Sequence, residues 1–305
     1  MNVQERIIKT LELFALQSVA LTAPEVGRFL VQDPGLLSGH MGGRGELISV
    51  PSLADEIVSE LEIRRALGQL VEEGALVERY GFYTTSDRKD VVLLRWQGHG
   101  QGVWREKRIR RFLPLFRYIP FVRGVALAGS QVLGVVKQAS DIDLFIITDP
   151  RWLWLPRTLV TAFFHFLGIR RYRSKIARRV CLNHYISGQK YMQTGRNWYT
   201  AMEYVKLRPL FGEAYIRHFQ NSNGDWLRTF FPNVLFPVLP VSQARGFQKY
   251  LEQLITLLGG KKLEQWLGAW QSKRIHKDER HIIVTSDELS FHPHSKQDAI
   301  VDAFK

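Results

Sequence analysis

The stretch V-R-G-V-A-L-A-G-S-Q-V-L-G-V-V-K-Q-A-S-D-I-D-L-F-I-I-T, Val122 to Thr148, reads as strand, Gly-Ser turn, short helix, strand. Val125 to Ala128 is small and apolar, the pattern of a buried strand. Gly129 lets the backbone turn tightly and approach a ligand closely. Ser130 opens a helical stretch, Gln131 to Lys137. The first N–H groups of a helix have no intrahelical partner and carry partial positive charge, which suits a phosphate. The Ser130 hydroxyl can add one more hydrogen bond.

Asp141 and Asp143 come next, separated by Ile142 and followed by Leu144, Phe145, Ile146 and Ile147. Alternate residues of a strand share a face, so the two carboxylates point the same way. Held a few ångström apart they repel by about 4 kcal/mol at an effective dielectric near 20. An apolar strand keeps such a pair only with a compensating cation. Oxygen ligands with open positions favour Mg²⁺, which also binds triphosphate oxygens. Asp141 and Asp143 are therefore candidate metal ligands and catalytic carboxylates, with Gly129 and Ser130 as candidate phosphate-binding residues.

Gly129-Ser130, ten intervening residues, and Asp141-Ile-Asp143-Leu144 together resemble the signature of the DNA polymerase beta-type nucleotidyltransferase superfamily. That signature is a hydrophobic residue, Gly, then Gly or Ser, a spacer, and Asp-x-Asp with hydrophobic neighbours. The resemblance implies Mg²⁺ on Asp141 and Asp143, nucleotide phosphates on Gly129 and Ser130, and transfer of an NMP from an NTP, with ATP as the default nucleotide. It covers the 27 residues quoted above. More loosely, the chain is similar to bacterial proteins that join an N-terminal winged-helix-like region to a nucleotidyltransferase core. That wider likeness brings no substrate. Members that transfer nucleotides usually carry a third carboxylate on a later strand. Here that strand, Val180 to Ser187, offers Asn183 and His184, which alternation puts on opposite faces. Glu203, on the helical stretch that follows, is the other candidate for the catalytic base, beside the alternative of an exposed helix residue.

Around this centre, 305 residues allow about two domains of ordinary size. Hydrophobic residues make up 45% and charged residues 23%, which excludes collagen-like and broadly disordered classes. Cys181 is the one cysteine, so an internal disulfide and a multi-cysteine metal site are excluded. The expected fold class is α+β. Residues 1–97 read as a winged-helix-like domain, 98–230 as a nucleotidyltransferase-type mixed sheet with helices, and 231–305 as a mostly helical region with a terminal strand or hairpin.

In the first region Glu5 to Ala15 has helical spacing, and Thr22 with Glu25 marks a capped helix start. Asp33 to Gly45 holds five glycines and a proline and reads as a loop. Ser52 is read as the cap of a long helix from Leu53 to Glu73. Ala75 to Tyr80 and Phe82 to Thr84 flank Gly81 as a hairpin, and Val91 to Trp96 as a further strand. The Ser52–Glu73 stretch carries six acids against Arg64 and Arg65, which opposes specific binding of duplex DNA.

Net charge is +13, which favours polyanionic partners. Two segments concentrate it. Residues 104–123 set seven Lys and Arg against Glu106, and residues 151–180 hold seven arginines and Lys175 with no acid. Aromatics interleave both, the composition of an RNA-binding or anionic-surface segment, and equally of helices with aromatic cores and solvated arginines. Further on, Trp198 to Phe211 reads as helix closing at Pro209, Pro232 to Pro240 as a linker, and Val241 to Trp270 as an amphipathic helix broken at Gly259-Gly260. His281 to Phe291 reads as a strand or hairpin and Gln297 to Phe304 as a last helix. His276, His281, His292 and His294 lack ligand spacing and read as surface residues.

Trp152 to Ile169 is too short and too interrupted to span a membrane, and the N-terminus carries Glu5 and Glu12 where a signal peptide would be apolar. A cytoplasmic location is expected. The expected activity is Mg²⁺-dependent transfer of an NMP to a small molecule, a protein or an RNA end. The alternatives are a catalytically weak nucleotide- or nucleic-acid-binding regulator using the winged-helix-like domain and a peripheral membrane protein using the Trp152 to Arg179 stretch.

Overall fold

The computed structural model describes residues 1–37, 40, 47, 49, 57–136, 140–171, 178–188, 196–241, 246–275 and 283–291, except the side chains of Pro34 and Asn183. Helix α1 (Val3–Leu16) starts at Asn2, whose side chain accepts from the Glu5 N–H while Glu5 accepts from the Asn2 N–H. Ile7, Leu11 and Phe14 form its buried stripe. Strand β1 (Leu21–Thr22) enters α2 (Ala23–Arg28), where the Glu25 carboxylate accepts from both the Thr22 N–H and its hydroxyl. A single helical turn, α3 (Pro34–Leu37), interrupts the stretch expected to be loop, and most of the remainder of that stretch lies outside the described residues.

Helix α4 (Glu60–Glu72) begins later than the sequence reading placed it. Its N-cap is Ser59, which accepts from the Glu62 N–H at 3.3 Å; Ser52 lies outside the described residues. Ser59-Glu-Leu-Glu62 joins a capping hydroxyl to two acids in the first turn, a strong local start. Strands β2 (Leu76–Arg79) and β3 (Phe82–Thr85) pair across Tyr80-Gly81, both at positive φ, and β1 takes the other edge of β3. The first sheet therefore runs β1-β3-β2.

Val91 to Trp96, expected as a strand, belongs to the long helix α5 (Asp90–Arg110). Asp90 sits in its first turn and Lys107, Arg108 and Arg110 in its last, which matches the helix dipole at both ends. This helix passes without a break through residue 97. One core cluster also joins Ile7 and Leu67 to Phe145 and Trp198, and hydrogen bonds from Gln32 to Phe230 and from Lys206 to Gln17 tie the N-terminal elements to the helices that cover the central sheet.

That sheet is built from β4 (Val122–Leu127), β5 (Ile142–Thr148), β6 (Val180–Ser187), β7 (Arg208–Phe211), β8 (Ile283–Val284) and β9 (Glu288–Ser290), in the order β7-β4-β5-β6-β9-β8. β4 and β5 are antiparallel, while β5 and β6 are parallel and joined through α6 (Trp154–Phe166). The sheet is thus mixed and the fold α+β. Both faces are covered. Ala126, Phe145, Ile147 and Ile186 pack with α7 (Trp198–Lys206), α8 (Glu213–Ser222) and α9 (Gly224–Phe230) on one side. Val125, Leu144, Ile146 and Tyr185 pack with Phe116, Val160 and Phe164 on the other.

Helix α7 ends three residues before Pro209, and Arg208–Phe211, expected as helix, is an edge strand. A residue preceding proline is driven toward extended backbone, and an edge strand tolerates a proline's missing N–H. Residues 231–241 carry no helix or strand, as their prolines imply. Helices α10 (Gly246–Leu257) and α11 (Gly260–Ile275) turn at Gly259, and β8 and β9 form the expected terminal hairpin. Gln297 to Phe304 and the four histidines from His276 to His294 lie outside the described residues. No helix among the described residues is long and apolar enough to cross a membrane.

The hairpin of α10 and α11 is tied down by buried carboxylates. Glu264 accepts from the N–H groups of Leu153, Trp154 and Leu155 at 2.7 to 2.8 Å, satisfying the start of α6 from another helix. Glu252 accepts from the Phe121 N–H and from the Arg123 guanidinium, which also pairs with Asp149. Glu264→Ala should therefore lower unfolding free energy by about 2–3 kcal/mol, since buried donors lose their acceptor. Glu264→Gln should lose less. Urea titration checks this, and an unchanged midpoint for Glu264→Ala would contradict it.

Candidate functional site

Strand β4 ends at Leu127, and the Ala128 N–H still bonds the Asp143 carbonyl at 3.1 Å. Gly129 then takes φ 74° and ψ −168°, a conformation essentially reserved for glycine. A Cβ at this position would stand 3.1 Å from Asp143 Oδ2, so the carboxylate lies against the bare Cα. Gln131 ties the turn to β5 by donating its side-chain amide to the carbonyls of Ala128 and Asp143, both at 3.1 Å. The Ser130 hydroxyl donates to the Val135 carbonyl at 3.3 Å.

The helix expected over Gln131–Lys137 is instead a short 3-10 turn, Ser130–Leu133, closed by Gly134 in the left-handed region. Lys137 lies outside the described residues. The glycines that break the periodicity account for this, because Gly134 terminates the turn before an α-helix can propagate. The turn is braced from behind by α5. A Cβ on Gly98 would fall 2.7 Å from the Gly134 carbonyl oxygen and 2.8 Å from the Val136 nitrogen, so the helix backbone rests directly on the turn's exit.

Asp141 immediately precedes β5, and Asp143 lies within it, opposite Cys181 on β6. The ligand atoms of Asp141, Asp143 and Cys181 all lie within 4.8 Å of one another. Burial pushes the Cys181 thiol up to about 12, with the charges of Asp143 and Asp141 adding to the rise and Arg171 opposing it. The two carboxylates are therefore the anionic donors of the cluster, with the Cys181 sulfur beside them. Arg171 Nη1 lies 2.6 Å from Asp141 Oδ2 and 3.6 Å from the Cys181 sulfur, a cation already placed at the carboxylate pair. Burial works to lower the Arg171 pKa, but Cys181 and Asp141 outweigh it and the net shift is upward.

The two basic segments converge here. Arg105 of α5 donates to the Ser140 carbonyl at 2.9 Å. Burial lowers its pKa, the neighbouring charge of Arg178 lowers it further, and Asp141 acts against both. Trp104, half exposed, has the guanidinium of Arg108 5.7 Å and that of Arg178 5.8 Å from its ring centroid. A cationic, aromatic rim therefore borders the carboxylate pair.

Of the candidates for a base, His184 shares the face of Asp143, because β6 carries an extra residue between Leu182 and His184. It is buried, its ring stands edge-on to Phe145, and Nε2 lies 3.1 Å from Glu288 Oε1. The Asn183 side chain lies outside the described residues. Glu203 bonds the buried Lys206 ammonium at 2.7 Å, and Lys206 also donates to Gln17 at 2.9 Å. One turn earlier on α7, burial pushes the Tyr199 phenol up, and the charges of Glu203 and Asp143 push it further, so Tyr199 is under the influence of both carboxylates.

Cys181, Arg171 and the Trp104 rim were not singled out as site residues by the sequence. Cys181 was accessible by alternation, being two residues into the strand that begins beside the Asp pair. The placement of Arg171 depends on a loop whose path no local pattern reveals. Comparison with known proteins finds no match to a family model, a curated protein or a solved structure.

Gly129→Ala should cost about 1–3 kcal/mol of stability, from backbone strain and the displaced Asp143 carboxylate. Chemical denaturation measures it, and wild-type stability in the variant would show that the turn can relax.

Proposed function

We propose that this chain is a Mg²⁺-dependent nucleotidyltransferase of the DNA polymerase beta type, moving an NMP from an NTP to an acceptor. The observation that carries this reading is the contact of Gly129 with the Asp143 carboxylate, which sets a side-chain-free turn against a pair of hard oxygen donors. The mixed order of β4, β5 and β6 supports it. Asp141 and Asp143 are the residues that would hold Mg²⁺, which when bound neutralises triphosphate charge and polarises the reacting phosphoryl group. The backbone at Gly129 and Ser130 admits phosphate oxygens closely. Arg171, Arg105 and Arg178 stabilise the negative charge that develops on the leaving pyrophosphate. Glu203 is kept as the proposed base on the site's side of the sheet.

The acceptor remains a small molecule, a protein side chain or an RNA end. The Trp104 rim with Arg108 and Arg178 favours one that carries its own phosphates, such as an RNA end. The N-terminal order of helices with a three-stranded sheet supports a winged-helix-like region. Its α4 helix presents Glu60, Glu62 and Glu72 against Arg64 and Arg65, which disfavours specific duplex DNA. A second reading, a nucleotide-binding regulator with weak catalysis, is favoured by one fact: Asp141 and Glu203 both already hold cationic partners.

Incubation with each α-labelled NTP and Mg²⁺, with and without cell extract, tests both readings. Label moving onto an acceptor supports transfer, and binding without label transfer supports the regulator. Asp141→Asn and Asp143→Asn should each weaken Mg²⁺-dependent NTP binding by more than about a hundredfold, beyond the loss typical of outer-shell changes at metal sites. Parent-like binding in both variants would show the site assignment to be wrong. Glu203→Gln should keep NTP binding, lose turnover, and cost about 3 kcal/mol of stability because buried Lys206 loses its anionic partner. Turnover surviving in a stable Glu203→Gln protein would remove Glu203 from the mechanism.

A further inference from the structure

Among the described residues, the hairpin of α10 and α11 carries exposed apolar side chains that lie close together along the chain at helical spacing. Leu257 and Leu258, at the turn between the two helices, are 83% and 76% exposed. Tyr250, Leu254 and Leu257 recur at helical spacing on α10 and are all exposed. Leu263, Trp266 and Trp270 do the same on α11, the two indoles stacked with ring planes 4° apart. An apolar surface of this kind on a folded chain marks an interaction site.

Within the hairpin itself, residues 246–275, the charge is one-sided. The two acids of the hairpin, Glu252 and Glu264, are both buried and consumed by Arg123 and by backbone N–H groups. The charged side chains left at its surface are Lys249, Lys261, Lys262, Lys273 and Arg274, with Arg274 lying over the Trp270 ring at 4.7 Å. Exposed leucines at a turn, tryptophans beside them and cations without acids are what an anionic lipid surface attracts. A second copy of the same hairpin would bring these cations face to face.

We propose that the α10–α11 hairpin docks on an anionic phospholipid surface, with Leu257 and Leu258 entering the acyl boundary, Trp266 and Trp270 at the headgroup level, and Lys262, Lys273 and Arg274 on the phosphates. This docking is independent of the nucleotide chemistry. It also differs from the membrane role considered for Trp152 to Arg179, since Trp152, Leu155, Val160 and Phe164 of that stretch are buried.

Co-sedimentation of the full chain with vesicles of phosphatidylglycerol and phosphatidylcholine tests the proposal. Binding should be roughly tenfold or more weaker on phosphatidylcholine alone and should fall with added salt. Leu257→Glu combined with Leu258→Glu, and separately Lys262→Glu combined with Arg274→Glu, should each release the protein without changing Tm, because these side chains are exposed. The parent's tryptophan emission should shift to the blue on vesicle addition, and the shift should shrink in the Trp266→Phe, Trp270→Phe double variant. A parent that stays in solution with both vesicles, or variants that sediment as the parent does, would overturn the proposal. So would a dimer in solution that the leucine changes dissociate, which would assign the surface to a second copy.

Discussion

Everything at the centre of this molecule depends on how closely Gly129 approaches the Asp143 carboxylate. Strands β4 and β5 are antiparallel neighbours, so the chain leaving β4 must return past the start of β5. With a left-handed glycine and no Cβ, the turn folds flat against the acid and leaves its oxygens beside open backbone. Gln131 then locks the turn to the strand, and Gly98 lets α5 press on its exit. The contacts at Gly129 and Gly98 depend on a missing side chain, which couples the glycine positions of distant segments to a single local geometry.

Charge is arranged with the same economy. In a chain of net charge +13, several acids are held by buried or half-buried partners: Glu252 and Asp149 by Arg123, Glu264 by the start of α6, Glu25 by Arg95 and Glu203 by Lys206. The surface is left basic around the Asp141–Asp143 pair and along the α10–α11 hairpin. Arg171 plays a particular part, since it offsets the repulsion of two carboxylates that the apolar strand would otherwise carry uncompensated.

The central strands and the Asp pair were legible because a buried strand writes a continuous apolar run and a same-face pair writes alternation. The Thr22–Glu25 capping box and the hairpin around Gly81 were legible for similarly local reasons. Two readings failed where tertiary packing overrode local pattern, and a third failed for a local reason. Val91 to Trp96 has the composition of a strand, yet it opens a helix whose glycines serve a contact made with residues far along the chain. Arg208 to Phe211 continues a helical pattern up to Pro209, but the open edge of β4 captures it as a strand. The stretch after Ser130 was cut short by Gly134. At the candidate site, the sequence put Asp141 and Asp143 on one face, as the structure does, while Cys181 and Arg171 depended on strand register and a loop path that no periodicity encodes.

The most direct test of the account is a crystal structure of the protein soaked with Mn²⁺ and a non-hydrolysable NTP, read by the anomalous signal of the metal. The account predicts one strong peak between the carboxylates of Asp141 and Asp143, with triphosphate oxygens against Gly129 and Ser130 and Arg171 moved from Asp141 onto phosphate. A peak elsewhere, or density showing Arg171 still bonded to Asp141 with the nucleotide bound away from the Gly129 turn, would contradict it.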